Sequence, residues 1–162
     1  MVTKQTPKYM VASGFVPDTK VQGPGLVWMP AAVVSIAKGD ALHDDTNGYV
    51  TNATTAFAST FRGVAAAAVD NSGGSSGDLD VPVIPVEANV RYWVPNGSAT
   101  VAAQTDVGEI VDLEAVNTID VTDVGVKGYG FKIDKIDVST TAVGVNTGGY
   151  VRGVFVVEGD QA

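Results

Sequence analysis

The apolar residues of this chain come in short valine-rich runs, and this pattern constrains the fold more than any other feature. VPVIPV (81–86) and VRGVFVV (151–157) are examples, and no segment has the sustained spacing of a long amphipathic helix. Valine suits a pleated surface, whereas the Gly, Asn and Asp residues between the runs provide turns. About nine or ten short strands follow at intervals of roughly eight to twelve residues. We therefore predict an all-β fold, an antiparallel β-barrel or sandwich.

Local signals refine several of these strands. Asn47-Gly48 is a strong hairpin signal because both residues tolerate positive φ, and Asn96-Gly97 marks another turn. The run at 26–36 is compatible with a buried strand or a short helix, and its central Pro30 favours an edge or bent strand. The prolines of the segment at 80–87 are likewise expected at edge-compatible positions.

The alanine-rich segment FRGVAAAAVD (61–70) needs separate treatment because alanine favours helices. β-friendly residues and Gly63 flank the alanine run. A glycine inside a strand often marks a place where another backbone approaches closely. We therefore predict a strand here, packed closely against a neighbouring backbone at Gly63.

Residues 1–25 are predicted to be an extended N-terminal arm and 26–162 the β-body. Pro7, Pro17 and Pro24 are spread through the first segment without a periodic apolar pattern. Residues 1–38 have a charge balance of +3, whereas Gly39 to the end has a balance of −11. A basic arm lying on an acidic neighbour is compatible with this polarity, although solubility also explains an acidic surface.

The β-body shows a weak internal duplication, with two related β-units at about 26–95 and 96–162. Chance similarity between valine-rich strands is the alternative explanation. Two related units could cover each other's sheet edges. The matched segments are GDAL (39–42) with GEIV (108–111), GVAAAAVD (63–70) with GFKIDKID (130–137), and the closing strands VPVIPVE and VRGVFVVE.

Composition excludes several classes of protein. The chain has no cysteine, so disulfides, thiolate metal sites and a cysteine nucleophile are excluded. We expect no nucleic-acid partner, since the net charge is −8 and nucleic-acid binding requires clustered cations. The N-terminus lacks the apolar core of a secretory signal, and no apolar run approaches the ~18 to 20 residues of a membrane span. We expect synthesis in the cytoplasm and no membrane association.

Candidate chemical motifs are few. His43-Asp44-Asp45 beside a turn could begin a metal site, but adjacent strand residues point to opposite faces. GGSSG (73–77) matches the G-x-S-x-G string, but the segment after it is predicted to be a strand, whereas that motif requires a helix. Asp70, Asp78 and Asp80 could form a loose calcium site of oxygen ligands, an alternative that stays open. We therefore predict no catalytic residues, no metal site and no cofactor.

The aromatic residues leave a second alternative open. A sugar-stacking platform could be built from a few of them, although core packing and subunit contact are commoner uses. The residues that could form this platform are Trp28, Tyr92, Trp93 and Tyr150.

The segment KGDALHDDTNGYVTNATTAFASTFRGVAAAAVD, its valine-rich strands and the closing GGYVRGVFVVE resemble small capsid decoration (cement) proteins of tailed phages. The resemblance covers residues 33–95 well and the C-terminal half loosely. It implies a non-enzymatic structural protein of the virion, a β-barrel on the outer capsid surface. It also implies self-assembly, usually as homotrimers, and binding to neighbouring major capsid proteins through an N-terminal arm. In that case the protein stabilises the head by bridging capsid subunits.

The hypothesis places the capsid contacts within residues 1–25. Lysines would meet acidic groups of the capsid, and apolar side chains would anchor the arm. The lysines are Lys4, Lys8 and Lys20, and the apolar anchors are Tyr9, Met10 and Phe15.

Three rival functions remain open at this point. The first is another virion component, such as a head-fibre base, a tail protein or a baseplate protein. The second is a carbohydrate-binding adhesion module that uses Tyr92 and Trp93. The third and weakest is an acid-pair glycosidase, for which sequence alone shows no carboxylate pair at ~5 to 9 Å.

Overall fold

A computed structural model describes residues 14–18, 25–53, 60–86, 90–98, 100–124, 130–137 and 149–156. Within them the regular structure is β, apart from a short 3-10 helix at Gln104–Asp106. The strands, numbered in chain order, are β1 Val16–Pro17, β2 Val27–Pro30, β3 Ser35–Ile36, β4 Ala41–Asp44, β5 Val50–Asn52, β6 Phe61–Ala65, β7 Val69–Asp70, β8 Asp80–Pro85, β9 Arg91–Pro95, β10 Ile110–Ala115, β11 Thr118–Val124, β12 Gly130–Asp137 and β13 Tyr150–Val156.

These strands form three sheets. A five-stranded sheet has the order β2-β8-β6-β4-β5, a six-stranded sheet has the order β1-β9-β13-β12-β10-β11, and β3 pairs with β7 in a two-stranded ribbon. Every paired strand is antiparallel to its neighbour. The all-β prediction is confirmed. Of the two architectures left open, the sandwich fits, since each large sheet keeps two edge strands within the described chain.

The central strands of the five-stranded sheet are buried on both faces. Ala41, Val64 and Ile84 belong to the cluster shared with the six-stranded sheet, whereas Leu42 and Val83 belong to a second cluster on the opposite face. That second cluster also contains Ile36 of the ribbon. Burial on both faces explains why these strands have continuous apolar runs, with no alternation of apolar and polar residues.

The six-stranded sheet packs one face against the shared cluster. Phe131, Ile133, Val151 and Phe155 face the shared cluster, and each is at most 6% exposed. On the other face, Lys132 is exposed and Arg152 and Val154 are half-buried. This alternation is typical of an antiparallel sheet with one face in solvent.

Several local predictions about β2 and β6 can now be assessed. β2 is an edge strand, as predicted, but it ends at Pro30 and does not continue through it. β6 ends at Ala65, before most of the alanine run. A Cβ on Gly63 would lie 2.0 Å from the Ile84 carbonyl oxygen, so the predicted close approach of a backbone is confirmed.

The prediction of edge positions for the prolines at 80–87 is wrong, because β8 lies between β2 and β6. The sheet tolerates Pro82 because its carbonyl accepts from the Ala66 N–H at 2.8 Å, one residue beyond the end of β6. A strand residue's N–H and C=O point to the same side, so the missing N–H of Pro82 faces the position where β6 has ended.

The two large sheets repeat one topology. When the strands of each half are numbered in order of appearance, β2-β8-β6-β4-β5 and β9-β13-β12-β10-β11 both read 1-5-4-2-3. The registers agree as well: Trp28 opposes Pro82 as Trp93 opposes Arg152. Both tryptophans stand in a Trp-x-Pro sequence at the same place in their strand. The matching isolated parallel bridges are Ala31–Val50 and Asn96–Ile119.

Equivalent backbone hydrogen bonds follow the same repeat. The N–H of Gly39 donates to the Ala65 carbonyl at 2.9 Å, and the N–H of Gly108 donates to the Ile133 carbonyl at 2.8 Å. Both glycines have positive φ, 91° and 97°. The Gly39–Gly108 match made from sequence therefore agrees with the structure.

The downstream match was wrong by one residue. Ala65 is equivalent to Ile133, so Gly63 is equivalent to Phe131 and not to Gly130. The two glycines are needed for different reasons. An added Cβ would clash with the Ile84 carbonyl at Gly63 and with the Ile110 side chain at Gly130. The second set of strands also begins with β9, so the division between the halves falls before Arg91 and not after Pro95.

Candidate functional site

The N-terminal segment joins the six-stranded sheet at its edge. β1 pairs with β9, with Val16 opposite Trp93 and Pro17 opposite Tyr92. Gly14 has a φ of 83°, and a Cβ on it would lie 2.7 Å from the Gly39 carbonyl oxygen. The N–H of Phe15 then donates to that carbonyl at 2.9 Å. Glycine at position 14 therefore lets the chain turn into the sandwich.

Phe15 lies in the core of its own chain. It is 1% exposed, and its ring centroid lies 5.1 Å from that of Phe155 and 5.5 Å from that of Phe131. The prediction that Phe15 anchors the arm on a capsid protein is therefore wrong, because burial in this aromatic cluster is available without any partner. The other five proposed contact residues lie outside the described residues: Lys4, Lys8, Tyr9, Met10 and Lys20.

Asp18, directly after β1, holds the end of this strand to the sheet through hydrogen bonds. Its N–H donates to the Arg91 carbonyl at 2.8 Å. Its carboxylate accepts from the Trp93 Nε1–H at 2.9 Å and from Arg152 Nη1 at 3.2 Å. Sequence reasoning missed this residue, because a single aspartate after a proline carries no sign of a partner 75 positions away.

Arg152 continues the network across the outer face of the six-stranded sheet. Its Nε–H donates to Asp134 Oδ1 at 2.7 Å, and the Nε–H of Arg91 donates to Asp134 Oδ2 at 2.7 Å. The hydrogen bond that Arg152 donates to Asp134 is the main cause of the raised pKa of Arg152, which is thus held in its charged form. Single exposed pairs contribute little, but linked pairs that share one guanidinium are stronger.

This network covers Trp93. Arg152 and Lys135 each lie 5.9 Å from the centre of the indole ring, a cation–π arrangement. Trp93 is only 5% exposed, and Tyr92 and Tyr150 are 2% and 4% exposed. Burial also raises the pKa of Tyr150. Sugar stacking on Tyr92 and Trp93 is therefore not available, because no ligand can reach their ring faces.

Trp28 has the opposite environment. It is 65% exposed. Val27 and Leu79, which the strand register places on the other face of the same sheet edge, are 42% and 46% exposed. Successive strand residues point their N–H and C=O groups alternately to the two sides. The N–H of Ala31 donates to the Leu79 carbonyl beside β8, so those of Trp28 point away from β8. Among the described residues no strand pairs with the outer edge of β2, so this edge presents the backbone groups of Trp28 beside its exposed indole.

The acidic side chains of the loop after β7 form hydrogen bonds within the loop itself. Asp78 accepts from the Ser75 N–H at 2.7 Å, and Asn71 Nδ2 donates to the Ser75 carbonyl at 2.9 Å. Hydrogen bonds from the hydroxyl and the N–H of Ser72 lower the pKa of Asp70. The loop after Ser75 leads into β8, and not into a helix. Among the described residues no group of three His, Cys, Asp or Glu side chains is placed to hold a metal ion.

The neighbouring acids of the His43-Asp44-Asp45 sequence bind different partners and do not form one site. Asp44 forms an ion pair with Arg62. Asp45 Oδ1 accepts from the N–H groups of Asn47 and Tyr49 at 2.8 and 3.0 Å, which closes the predicted hairpin turn. Gly48, with a φ of 83°, completes that turn.

Comparisons with known proteins identify no relative. No family model matches, and neither the curated proteins nor the solved structures contain a match. In the part of the chain that the structure describes, no helix is long and apolar enough to cross a membrane.

Proposed function

We propose that this protein is a non-enzymatic structural protein of a tailed-phage virion, which binds the outer capsid surface and bridges neighbouring major capsid proteins. The sequence resemblance at 33–95 supports the proposal. The structural observation that carries it is the position of β1. β1, the first described strand, is an edge strand of the six-stranded sheet and so lies at the rim of the β-body. An arm that starts there can reach a neighbour without unfolding the body.

The charge distribution supports the same role for the arm. Residues 1–13 contain Lys4 and Lys8 and no acidic residue, whereas the chain as a whole has a net charge of −8. The proposed lattice contacts are Lys4, Lys8, Tyr9, Met10 and Lys20, without Phe15. Many weak contacts of this kind, repeated over a capsid, resist internal pressure through multivalency.

Co-sedimentation with bare capsids tests this proposal. The full chain should pellet with the capsids, and a chain lacking residues 1–13 should stay in the supernatant while keeping its β-type circular dichroism. A deletion of residues 1–20 is not a suitable test, because it also removes Phe15 from the core. Equal binding by the full chain and the 1–13 deletion would refute the role of the arm, and no binding by either would refute the capsid role.

A further inference from the structure

The repeat shows a strand position that is filled in one half and open in the other. β9 and β2 are equivalent strands at the same place in the two sheets. The outer edge of β9 pairs with β1, whereas β2 is the terminal strand of its sheet in the described residues. Trp93 is accordingly 5% exposed and Trp28 65% exposed. The structure therefore contains a worked example of the strand that β2 lacks.

The example defines what an incoming strand must provide. In β1, Val16 lies opposite Trp93 and Pro17 opposite Tyr92. The outward-facing groups of Trp93 belong to a hydrogen-bonded pair, so Pro17 occupies the next, non-hydrogen-bonded position, where a missing N–H costs nothing. A matching strand for β2 needs a β-branched residue opposite Trp28 and tolerates proline opposite Val27.

The N-terminal sequence repeats this pattern ten positions earlier. Thr6-Pro7-Lys8 matches Val16-Pro17-Asp18 as β-branched residue, proline and charged residue. In the same register Thr6 would lie opposite Trp28 and Pro7 opposite Val27.

The charges change in a complementary way. In the β1 register, Lys4 would lie opposite Pro30, and Pro30 lies opposite the exposed Asp80 of β8. The side chains of directly opposed residues share one face of a sheet, so Lys4 and Asp80 would lie on the same face, about 10 Å apart on either side of Pro30. A second acid, Asp78, lies two residues before Asp80. The β2 edge is thus suited to a basic strand, whereas the β9 edge, with Arg91 and Arg152, takes Asp18.

We infer that the outer edge of β2 binds residues 4–8 of a second copy of this chain as an added antiparallel strand. Trp28 is 65% exposed, so the edge is accessible to a second copy. The Thr6-Pro7 match and the opposite charges of Lys4 and Asp80 select residues 4–8 as the added strand. The arm and the β2 edge are different surfaces, so the contact is heterologous and repeats from copy to copy until a ring closes. A ring of three agrees with the expected homotrimer. The inference stands on the repeat and not on the capsid role. It reassigns Lys4 and Lys8 from the lattice to the contact between copies, and it leaves Tyr9, Met10 and Lys20 for lattice contacts.

Disulfide trapping tests the contact, and the chain offers a clean background because it has no cysteine. Pro7→Cys and Val27→Cys chains are mixed and oxidised, since a non-hydrogen-bonded pair brings Cβ atoms close enough for a disulfide. The mixed Pro7–Val27 dimer should exceed, at least tenfold, the product of the control pair Pro7→Cys with Val33→Cys. Val33 is 50% exposed and lies outside β2.

Light scattering provides the second measurement. The full chain should have the mass of three 16.6-kDa chains, and Trp28→Lys, at an exposed position, should have the mass of one with unchanged circular dichroism. Equal cross-linking of the control pair would overturn the inference. So would a Pro7→Cys/Val27→Cys double variant that forms its disulfide within one chain, because the occupant would then be the chain's own arm. Capsid co-sedimentation of Trp28→Lys is scored separately, so loss of the cross-link with retained binding overturns the strand addition and not the proposed function.

Discussion

Trp28 and Trp93 occupy the same place in two copies of one strand arrangement, yet Trp28 is 65% exposed and Trp93 5% exposed. The difference comes from what lies beside each strand. Asp18, Arg152 and Lys135 surround the indole of Trp93. Pro82 takes the place of Arg152 opposite Trp28. The same backbone therefore supports a closed edge in one half and an open one in the other.

Arg152→Ala should loosen the closed edge. Arg152 links Asp18 to Asp134, so its removal leaves two carboxylates without a shared partner. We expect a loss of about 1–2 kcal/mol in the free energy of unfolding. Trp93 should also become more accessible to acrylamide quenching, measured in a Trp28→Phe background so that one indole reports.

Arg62→Ala is the matched control for this variant. Arg62 pairs with Asp44 on the other sheet and is 49% exposed, against 26% for Arg152. Its removal should cost less than about 1 kcal/mol and leave the quenching of Trp93 unchanged. If acrylamide quenches Trp93 equally in the Arg152→Ala and Arg62→Ala variants, the network does not hold the β1 edge.

Phe15→Ala should destabilise the whole sandwich, although the residue lies close to the N-terminus. Its ring is 1% exposed among Phe131, Phe155 and Tyr92. Large-to-small changes at such positions cost about 3–5 kcal/mol. Urea denaturation should place the deletion of residues 1–13 near the full chain and the deletion of residues 1–20 near Phe15→Ala. Equal stability of the two deletions would show that β1 is dispensable.

Gly63→Ala should be one of the most damaging small substitutions. An added Cβ would lie 2.0 Å from the Ile84 carbonyl oxygen, and the φ of 146° is strained for any L side chain. We expect a loss of about 2–4 kcal/mol, seen as a lower denaturation midpoint. Gly73→Ala, which has nothing within 4 Å of its added Cβ, should change stability by less than about 0.5 kcal/mol. Similar midpoints for the two variants would contradict the close packing of β6 on β8.

Asp40 and Asp70 should give opposite pH dependences. Burial raises the pKa of Asp40 above its ordinary 3.8, and this outweighs the hydrogen bond from the Ala37 N–H. The folded state thus binds the Asp40 proton more tightly than the unfolded state. The charged Asp40 carboxylate therefore lowers the free energy of unfolding when the pH is above its folded pKa. This destabilisation disappears as the pH falls to about the ordinary pKa of 3.8. Asp40→Asn should therefore be most favourable, relative to the natural chain, at neutral pH, and this advantage should shrink on acidification.

Asp70 has a lowered pKa because of hydrogen bonds from Ser72. Its contribution is present above the ordinary value of 3.8 and is lost as the pH falls through the lower folded value. Asp70→Asn should therefore be least favourable at neutral pH, and its deficit should shrink on acidification. Chemical denaturation between pH 7 and pH 3 measures both variants, and parallel pH trends would contradict the assignment.

The sequence predicted the turns and the strand type well because their causes are local. Asn47-Gly48 forms its hairpin turn through Asp45, two residues away, and Pro30 ends an edge strand. Apolar and polar residues alternate in the strands of the six-stranded sheet because one face is in contact with solvent. This alternation can be read from the sequence of each strand alone. The Trp-x-Pro match between β2 and β9 was also present in the sequence, but two residues separated by one position are too weak a signal alone.

The candidate site was harder to predict because its partners are distant in sequence. Phe15 looked like an arm residue since Pro17 and Gly14 flank it, and only the sandwich shows that its ring completes an aromatic cluster. Tyr92 and Trp93 looked available for a ligand because aromatic residues are prominent in any sequence. Their burial depends on Phe15 and Asp18, which flank β1, and on Arg152 of β13.

By itself the sequence determined that this chain forms short antiparallel strands, because valine spacing and turn residues act within a few positions. Only the tertiary structure decided which strands become neighbours, which repeat of the Trp-x-Pro strand is covered, and which prolines a central strand can hold. Those outcomes depend on pairing between segments as far apart as Asp18 and Arg152, 134 positions in the chain. No local pattern encodes such a pairing, because it is selected by the burial of whole faces against each other.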